Sequence, residues 1–219
     1  MSQQRISVIM SVRNGEKYLM QALESIANQT RVPDEIIVVD DGSVDATAEL
    51  AQSSSLPLTV IKQQPAGIAA ALNNGLEHSS GNFICFLDYD DVWPSHRTEL
   101  LLNALDKNPQ ADGAFGAAIN TNADLIHISE PVQARMHTCM MVRRELFTQM
   151  GLFDSDFGHA AHMNWTMRAV TMGKIFIDIP DIVLWRRIHG QNIGISDKVQ
   201  SRADLLKMVR QHHQQQHNG

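Results

Sequence analysis

The sequence predicts an α/β fold in which a mostly parallel central sheet is flanked by helices within a single domain. Runs at Ile6–Val12, Glu35–Val39 and Phe83–Leu87 are apolar on both faces, which is typical of strands covered on both sides. The segments between these runs carry apolar residues at helical spacing. Parallel strands need such crossover helices, so both observations favour the same architecture.

In chain order, the first half alternates strands with helices. Ile6–Val12 is rich in β-branched residues, and Asn14-Gly15 follows it as a turn signal. The elements predicted next are a helix over residues 18–26, a strand at Glu35–Val39, a helix at Asp45–Gln52, a strand at Leu58–Ile61, a helix at Ala66–Glu77 and a strand at Phe83–Leu87.

The second half is less regular, and we see no linker or internal repeat in it. Its predicted elements are a helix at Arg97–Leu105, a strand at Gly113–Ile119, a hairpin or loop at Asn120–Glu130, a strand at Thr138–Val142, a helix at Arg143–Met150, a helix at Ala160–Met172, strands at Lys174–Ile179 and Ile182–Trp185, and a helix at Arg202–Gln211.

The composition excludes several classes of protein. With 43% hydrophobic and 19% charged residues in 219, the chain is neither disordered, nor fibrous, nor a disulfide scaffold. Its net charge of −6 disfavours nucleic acid as a partner. Cys85 and Cys139 lie among apolar residues, which favours reduced thiols and a cytoplasmic location. We expect no transmembrane segment, and peripheral association with the inner membrane face stays open.

Acidic residues follow two of the predicted strands directly. Asp40 and Asp41 end the second run, while Asp88, Asp90 and Asp91 follow the FICFL run. Ligands of open parallel sheets bind beyond these strand ends. Clustered carboxylates repel one another, and Mg²⁺ or Mn²⁺ prefers such hard oxygen ligands. The alternative is that they are helix caps and turn formers; the second cluster favours a metal.

Three stretches resemble one family. RISVIMSVRNGEKYLMQALESIANQT, DEIIVVDDGSVDAT and NFICFLDYDDVWP are similar to the donor-binding half of the inverting glycosyltransferases of family 2, with weaker resemblance at RRELFTQMGLFDSDF and LWRRIHGQN. The resemblance implies a GT-A-like fold and a hexosyltransferase that uses a nucleotide-sugar donor, often a UDP-sugar, and Mn²⁺ or Mg²⁺. It divides the domain into a donor-binding half at 1–110, an acceptor-side half at 111–195, and a C-terminal helix and polar tail at 196–219.

The same resemblance implies roles for individual residues. Asp41 would accept a hydrogen bond from the base, and the full set of nucleotide-binding residues is Ser11, Val12, Arg13, Asp41, Asn73 and Asp88. The implied metal ligands are Asp90 and His189, and the implied donor-sugar or diphosphate contacts are Asp91 and Arg187. His189 has an alternative role as a cap of the last strand, and Arg187 has an alternative as a solvated side chain.

The sequence departs from the family at two important places. Relatives carry an arginine where Leu72 stands, and this departure leaves the identity of the nucleotide base in the donor open. Relatives also carry Glu-Asp at the start of a helix, where the Asp is the general base that deprotonates the acceptor. The matching residues in GHAAHMNWTMRAV are Ala161 and His162.

We favour His162 as the substitute base, because imidazole is a competent base near neutral pH. His159 lies about one helical turn away from it. Three alternatives to this assignment stay open: Asp154 or Asp156 could act from the preceding loop, a thiolate acceptor would need little help, or catalysis could be lost.

The predicted function is metal-assisted transfer of a sugar from a nucleotide-sugar to a glycan, small-molecule or peptide acceptor, with inversion. The alternative is a protein that binds nucleotide-sugars, for example as a scaffold, without turning them over. A nucleotidyltransferase is disfavoured because SVRNGEKYL offers one glycine for a triphosphate loop. A Rossmann dehydrogenase is disfavoured because no strand is followed by G-x-G-x-x-G.

Overall fold

The computed structural model describes residues 4–190, 192, 202–204 and 206–210. The strands are β1 (Ile6–Val12), β2 (Glu35–Asp40), β3 (Leu58–Lys62), β4 (Phe83–Phe86), β5 (Gly113–Thr121), β6 (Val132–Gln133), β7 (Met140–Arg143) and β8 (Phe176–Arg187). The helices are α1 (Leu19–Ala27), α2 (Thr47–Ser53), α3 (Ile68–His78), α4 (Arg97–Lys107), α5 (Arg144–Met150) and α6 (Ala161–Thr171), with 3-10 segments at His137–Cys139 and Ser155–Ala160.

The first four strands form the parallel part of the sheet, as predicted. β1 pairs in parallel with β2 and β4, and β2 pairs in parallel with β3. Val12 lies opposite Asp40, and Ile9 lies opposite Phe86. The amide of Leu87 donates to the carbonyl of Ile9. The residues that follow β1, β2 and β4 therefore reach one edge of the sheet.

The second half adds antiparallel pairing to the sheet. β7 lies between β4 and β5 and is antiparallel to both, and β6 is antiparallel to β5. β8 runs parallel to β5 along its length. The strand order is therefore β3-β2-β1-β4-β7-β5-β6, with β8 also on β5. The predicted mostly parallel sheet is confirmed, and the structure adds that it is mixed.

Two predicted boundaries in this half are wrong. The strands at 174–179 and 182–185 are one continuous strand, β8, whose register on β5 shifts between Phe115 and Ala117 and again between Ala117 and Ala118. This irregularity accommodates Pro180, which has no amide hydrogen to donate to the ladder. The strand predicted from Thr138 begins at Met140, because the preceding residues form a 3-10 turn.

The core lies on both faces of the sheet. Val8 and Met10 of β1 belong to the apolar cluster under α1 and α4, while Ile9 belongs to the cluster under α3, α5 and α6. Strand side chains alternate between faces, so β1, which is buried along its whole length, contributes to both layers. Trp165 of α6 is completely buried and stacks on Phe147 with ring centroids 4.6 Å apart.

The remaining predictions about the fold concern the cysteines, the membrane and the C-terminus. Cys85 and Cys139 are buried and free, and burial raises the pKa of the Cys139 thiol to about 12. Within the described residues no helix has the length and apolarity needed to cross a membrane. Residues 202–204 and 206–210 are helical as predicted, while the polar tail lies outside the described residues.

Candidate functional site

The loop after β1 is braced against the loop after β2. The amide of Asn14 donates to Ser43 Oγ at 2.9 Å, and Asn14 Oδ1 accepts from the amide of Val44 at 2.9 Å. Gly15 lies so close to Tyr89 that a Cβ on it would be 2.6 Å from that ring. The loops after β1, β2 and β4 are therefore packed together at one edge of the sheet.

Asp41 is nearly fully buried and already has three hydrogen-bond donors. Its carboxylate accepts from Gln63 Nε2 at 2.8 Å, from the amide of Ala66 at 2.7 Å and from the amide of Gly67 at 2.9 Å. In this structure it anchors the loop that leads from β3 into α3. Its contact with a nucleotide base stays a prediction.

The other predicted nucleotide-binding residues lie around this edge. Ser11 and Val12 are buried at the end of β1, and Arg13 is exposed. Asn73 donates to the carbonyl of Phe153 at 2.8 Å and accepts from its amide at 3.0 Å. Asn73 therefore ties α3 to the loop before α6, and its nucleotide contact also stays a prediction.

Asp88, Asp90 and Asp91 bring carboxylate oxygens within 4.8 Å of one another beyond the end of β4. Asp91 is 4% exposed, and its Oδ1 accepts from the amide of Arg187 at 2.8 Å. Hard oxygen donors at this spacing fit Mg²⁺ or Mn²⁺. The residues present therefore suit the predicted divalent cation.

The electrostatics of this cluster favour a cation. Burial and the neighbouring carboxylates raise the pKa of Asp90 and place the pKa of Asp91 well above its ordinary value. Burial acts in the same direction on Asp88, but the attraction of His137, His162 and Arg186 outweighs it and lowers the pKa of that carboxyl. A cation binds carboxylates in their ionised form, so it would displace protons from this cluster.

His189 lies against Asp90, as the predicted metal assignment requires. His189 Nε2 is 2.9 Å from Asp90 Oδ2, and Asn192 Nδ2 donates to the same oxygen at 3.2 Å. Asn192 Oδ1 in turn accepts from the amide of His189 at 2.6 Å. The segment after β8 thereby reaches the acidic cluster, and the proposed metal ligands from the two halves are brought together.

Arg187 and Arg186 occupy different environments. Arg187 is 2% exposed, donates to Gln21 Oε1 at 2.6 Å, and has its guanidinium 4.3 Å from the centroid of the Tyr18 ring. Arg186 is half-buried, and its positive charge acts to lower the pKa of Asp91, against the effect of burial and the neighbouring carboxylates. The structure therefore places the charge of Arg186 near the acidic cluster and engages Arg187 with α1.

His162 lies at the start of α6 with its ring centroid 4.6 Å from that of His137. Burial and the neighbouring His137 lower the pKa of His162 to about 3, although Asp88 acts in the opposite direction. The ring is therefore neutral at physiological pH, but its affinity for a proton is low. Asp154 and Asp156, the alternative bases, are exposed in the preceding loop.

Sequence reasoning missed His137. It is 4% exposed, and its Nε2 lies 3.2 Å from Asp88 Oδ1. The available signal was a histidine two residues before the apolar run CMMV, of which Met140, Met141 and Val142 belong to β7. Periodicity identifies that run as a strand, but it does not show that the strand lies next to β4.

A family model for "Glycosyl transferase family 2" matches residues 7–176 of the chain. The chain belongs to this family. The match covers β1 to the start of β8, including the acidic cluster.

Curated glycosyltransferases resemble the chain to different extents. An uncharacterized glycosyltransferase of Rickettsia prowazekii is 26% identical over 204 residues, which cover 84% of this chain and 64% of that protein. Glycosyltransferase GlyA of Streptococcus pneumoniae is 41% identical over 115 residues, or 51% of this chain and 16% of that protein. The amylovoran biosynthesis glycosyltransferase AmsE of Erwinia amylovora is 25% identical, with coverages of 81% and 74%.

Solved structures show the same fold at low sequence identity. Staphylococcus aureus TarS 1–349 in complex with UDP has a TM-score of 0.72 and 20% identity, covering 85% of this chain and 61% of that one. The mannosyltransferase PcManGT of Pyrobaculum calidifontis, in complex with GDP-Man and Mn²⁺, has a TM-score of 0.74 and 21% identity, with coverages of 96% and 64%. These similarities confirm the GT-A-like fold.

Proposed function

We propose that this chain transfers a sugar from a nucleotide-sugar, such as a UDP-sugar, to an acceptor, with metal assistance and inversion. The observation that carries the proposal is the group of Asp88, Asp90 and Asp91 at the carboxyl edge of the sheet, in which Asp90 and Asp91 are buried, with His189 against Asp90. Membership of family 2 and the nucleotide ligands of the structural neighbours support it. The donor-binding half at 1–110 and the acceptor-side half at 111–195 belong to the same proposal.

The chain's own residues divide the work. Asp90 and His189 would hold the cation, Asp91 would support it or meet the donor sugar, and Asp88 would meet the ribose or sugar hydroxyls. A bound Mn²⁺ or Mg²⁺ supplies Lewis-acid neutralisation of the diphosphate as it leaves. Arg186 would add positive charge beside the diphosphate.

The acceptor would attack the anomeric carbon from the face opposite the diphosphate, and a base would take its proton. We keep His162 as the candidate base because it stands where relatives carry the Asp; its ring is neutral at physiological pH, but a pKa of about 3 makes it a weak base. If it is the base, His162→Ala lowers turnover while donor affinity changes little, measured by steady-state kinetics with product detection. Equal turnover in the variant would remove His162 from the mechanism.

The proposal is tested first by calorimetric titration of UDP, GDP, ADP and TDP, each with and without Mn²⁺. We expect one of these nucleotides to bind in a metal-dependent way. Its identity also gives the nucleotide base of the donor, which the departure at Leu72 leaves open. Asp90→Asn should abolish this binding, because it removes the negative charge of a proposed metal ligand. The circular dichroism spectrum should not change, because asparagine has nearly the same shape as aspartate. Asp124→Asn, at an exposed site, is the matched control. Metal-independent binding in Asp90→Asn would contradict the metal assignment.

One observation favours the second candidate, a donor-binding protein without turnover. The start of α6 carries Ala161 and His162 in place of carboxylates, and the pKa of His162 is lowered to about 3. Such a protein would bind the donor with metal but release no free sugar and form no product. Donor hydrolysis measured over a day separates the two candidates, since even a slow transferase hydrolyses part of its donor.

A further inference from the structure

We propose that His137 is a positioning residue that holds the Asp88 carboxylate in the orientation in which it meets the donor. The proposal rests on the proposed function, and it adds a contact from the acceptor-side half to the donor site. The resemblance to family 2 implied no role for this histidine.

The contact joins a buried imidazole to a partly open carboxylate. His137 Nε2 lies 3.2 Å from Asp88 Oδ1, and the side chains of the two residues are 5% and 33% exposed. The bond uses one carboxylate oxygen, which leaves the other available to a ligand. Carboxylates that bind metals or substrates are commonly oriented by such supporting hydrogen bonds.

The ring of His137 is fixed from both sides. Its centroid is 4.6 Å from that of His162 and 5.9 Å from that of Phe86, the last residue of β4. The ring is therefore packed between α6 and β4, the strand that precedes Asp88.

The backbone that carries His137 is also fixed. Arg97 of α4 is completely buried, and its Nη2 donates to the carbonyls of Thr138 and Met140 at 3.2 and 2.9 Å. The guanidinium lies 3.8 Å from the centroid of the Trp93 ring. These contacts hold the 3-10 turn that begins at His137, so the imidazole has little freedom to leave Asp88.

The other ring nitrogen indicates that the contact serves the site rather than stability. His137 Nδ1 is buried and has no hydrogen-bond partner among the described residues. A buried polar atom without a partner costs about 1–3 kcal/mol. A phenylalanine would fill this buried position without that cost, and local departures from optimal packing concentrate at functional sites.

The experiment compares nucleotide affinity with stability in the full chain. His137→Phe should weaken Mn²⁺-dependent binding of UDP, or of whichever nucleotide the wild type binds, by about tenfold to a hundredfold. Its free energy of unfolding, from urea denaturation, should be equal to or above that of the wild type. His137→Gln keeps an N–H donor near the position of Nε2 and should restore most of the affinity. His96→Phe, at an exposed histidine, is the control.

A double-mutant cycle with Asp88→Asn locates the effect. If His137 acts through Asp88, His137→Phe has little further effect on affinity in the Asp88→Asn background. Full affinity in His137→Phe overturns the inference. A loss of affinity that accompanies reduced stability and that His137→Gln does not restore overturns it too. Neither result contradicts the proposed function. A wild type that binds none of the four nucleotides overturns the proposed function, and the positioning role with it.

Discussion

Arg186 and Arg187 follow each other at the end of β8, so their side chains leave the strand on opposite sides. The resemblance to family 2 implied that one of the two contacts the diphosphate, and it favoured Arg187. In the structure Arg187 is engaged with Tyr18 and Gln21 of the α1 region, whereas the charge of Arg186 acts on Asp88 and Asp91. Sequence alone could not distinguish them, because the side of a strand is defined only by what packs against it.

We therefore expect different losses from the two matched substitutions. Arg186→Gln should weaken Mn²⁺-dependent nucleotide binding by about tenfold to a hundredfold, since a charge-assisted contact is worth about 1.5–3 kcal/mol. Arg187→Gln should instead lower the free energy of unfolding by about 1–3 kcal/mol, because it removes a buried cation from its partners. Calorimetry and urea denaturation of both variants check this. A larger loss of affinity in Arg187→Gln would return the diphosphate role to Arg187.

At the scale of elements, the loop between α5 and α6 is held by contacts from both of its sides. Asn73 of α3 pairs with both backbone groups of Phe153. Further along, the amide of His159 donates to Asp204 Oδ2 at 3.0 Å. Gly158 has a φ of +48°, and a Cβ on this residue would lie 2.5 Å from Asp204 Oδ2. This loop sets where α6, and with it His162, begins.

Asn73→Ala should lower the free energy of unfolding by about 1–3 kcal/mol, because it leaves the amide and carbonyl of Phe153 without partners. Glu77→Ala, at an exposed position of the same helix, should change it by less than about 0.5 kcal/mol. Urea denaturation measures both. If Asn73→Ala leaves stability unchanged and reduces nucleotide affinity, Asn73 serves the nucleotide as the resemblance implied and the structural role is wrong.

At the scale of the whole molecule, the environment of His162 couples its proton affinity to folding. Its pKa is about 3 in the folded chain, lowered by burial first, and about 6.5 in an unfolded one. Between these values the unfolded chain binds a proton that the folded chain does not. The contribution of His162 therefore reduces stability as the pH falls from about 6.5 toward 3.

His162→Gln removes this contribution. Between pH 8 and pH 5, the wild type should lose on the order of 1–2 kcal/mol more free energy of unfolding than the variant does. The other titrating groups are common to both proteins, so the difference isolates His162. Urea denaturation at the two pH values measures it, and equal losses would show that the imidazole has an ordinary pKa.

The sequence by itself determined the parallel half of the fold and the acidic cluster. Runs that are apolar on both faces specify buried strands, and the helical segments between them specify parallel crossovers. The residues that follow such strands must meet at one edge, so Asp88, Asp90 and Asp91 could be placed there from local pattern and family resemblance. The assignment of His189 and Asp90 to one metal site followed from the resemblance.

Only the tertiary structure decided what depends on partners distant in the chain. It placed β7 between β4 and β5, joined two predicted strands into β8, and brought His137 to Asp88 across 49 positions of sequence. It also set the pKa of His162, through burial and the rings and charges packed around it. Local periodicity indicates whether a residue is buried. The side chains that it contacts, and their charges, are determined only when distant parts of the chain pack together.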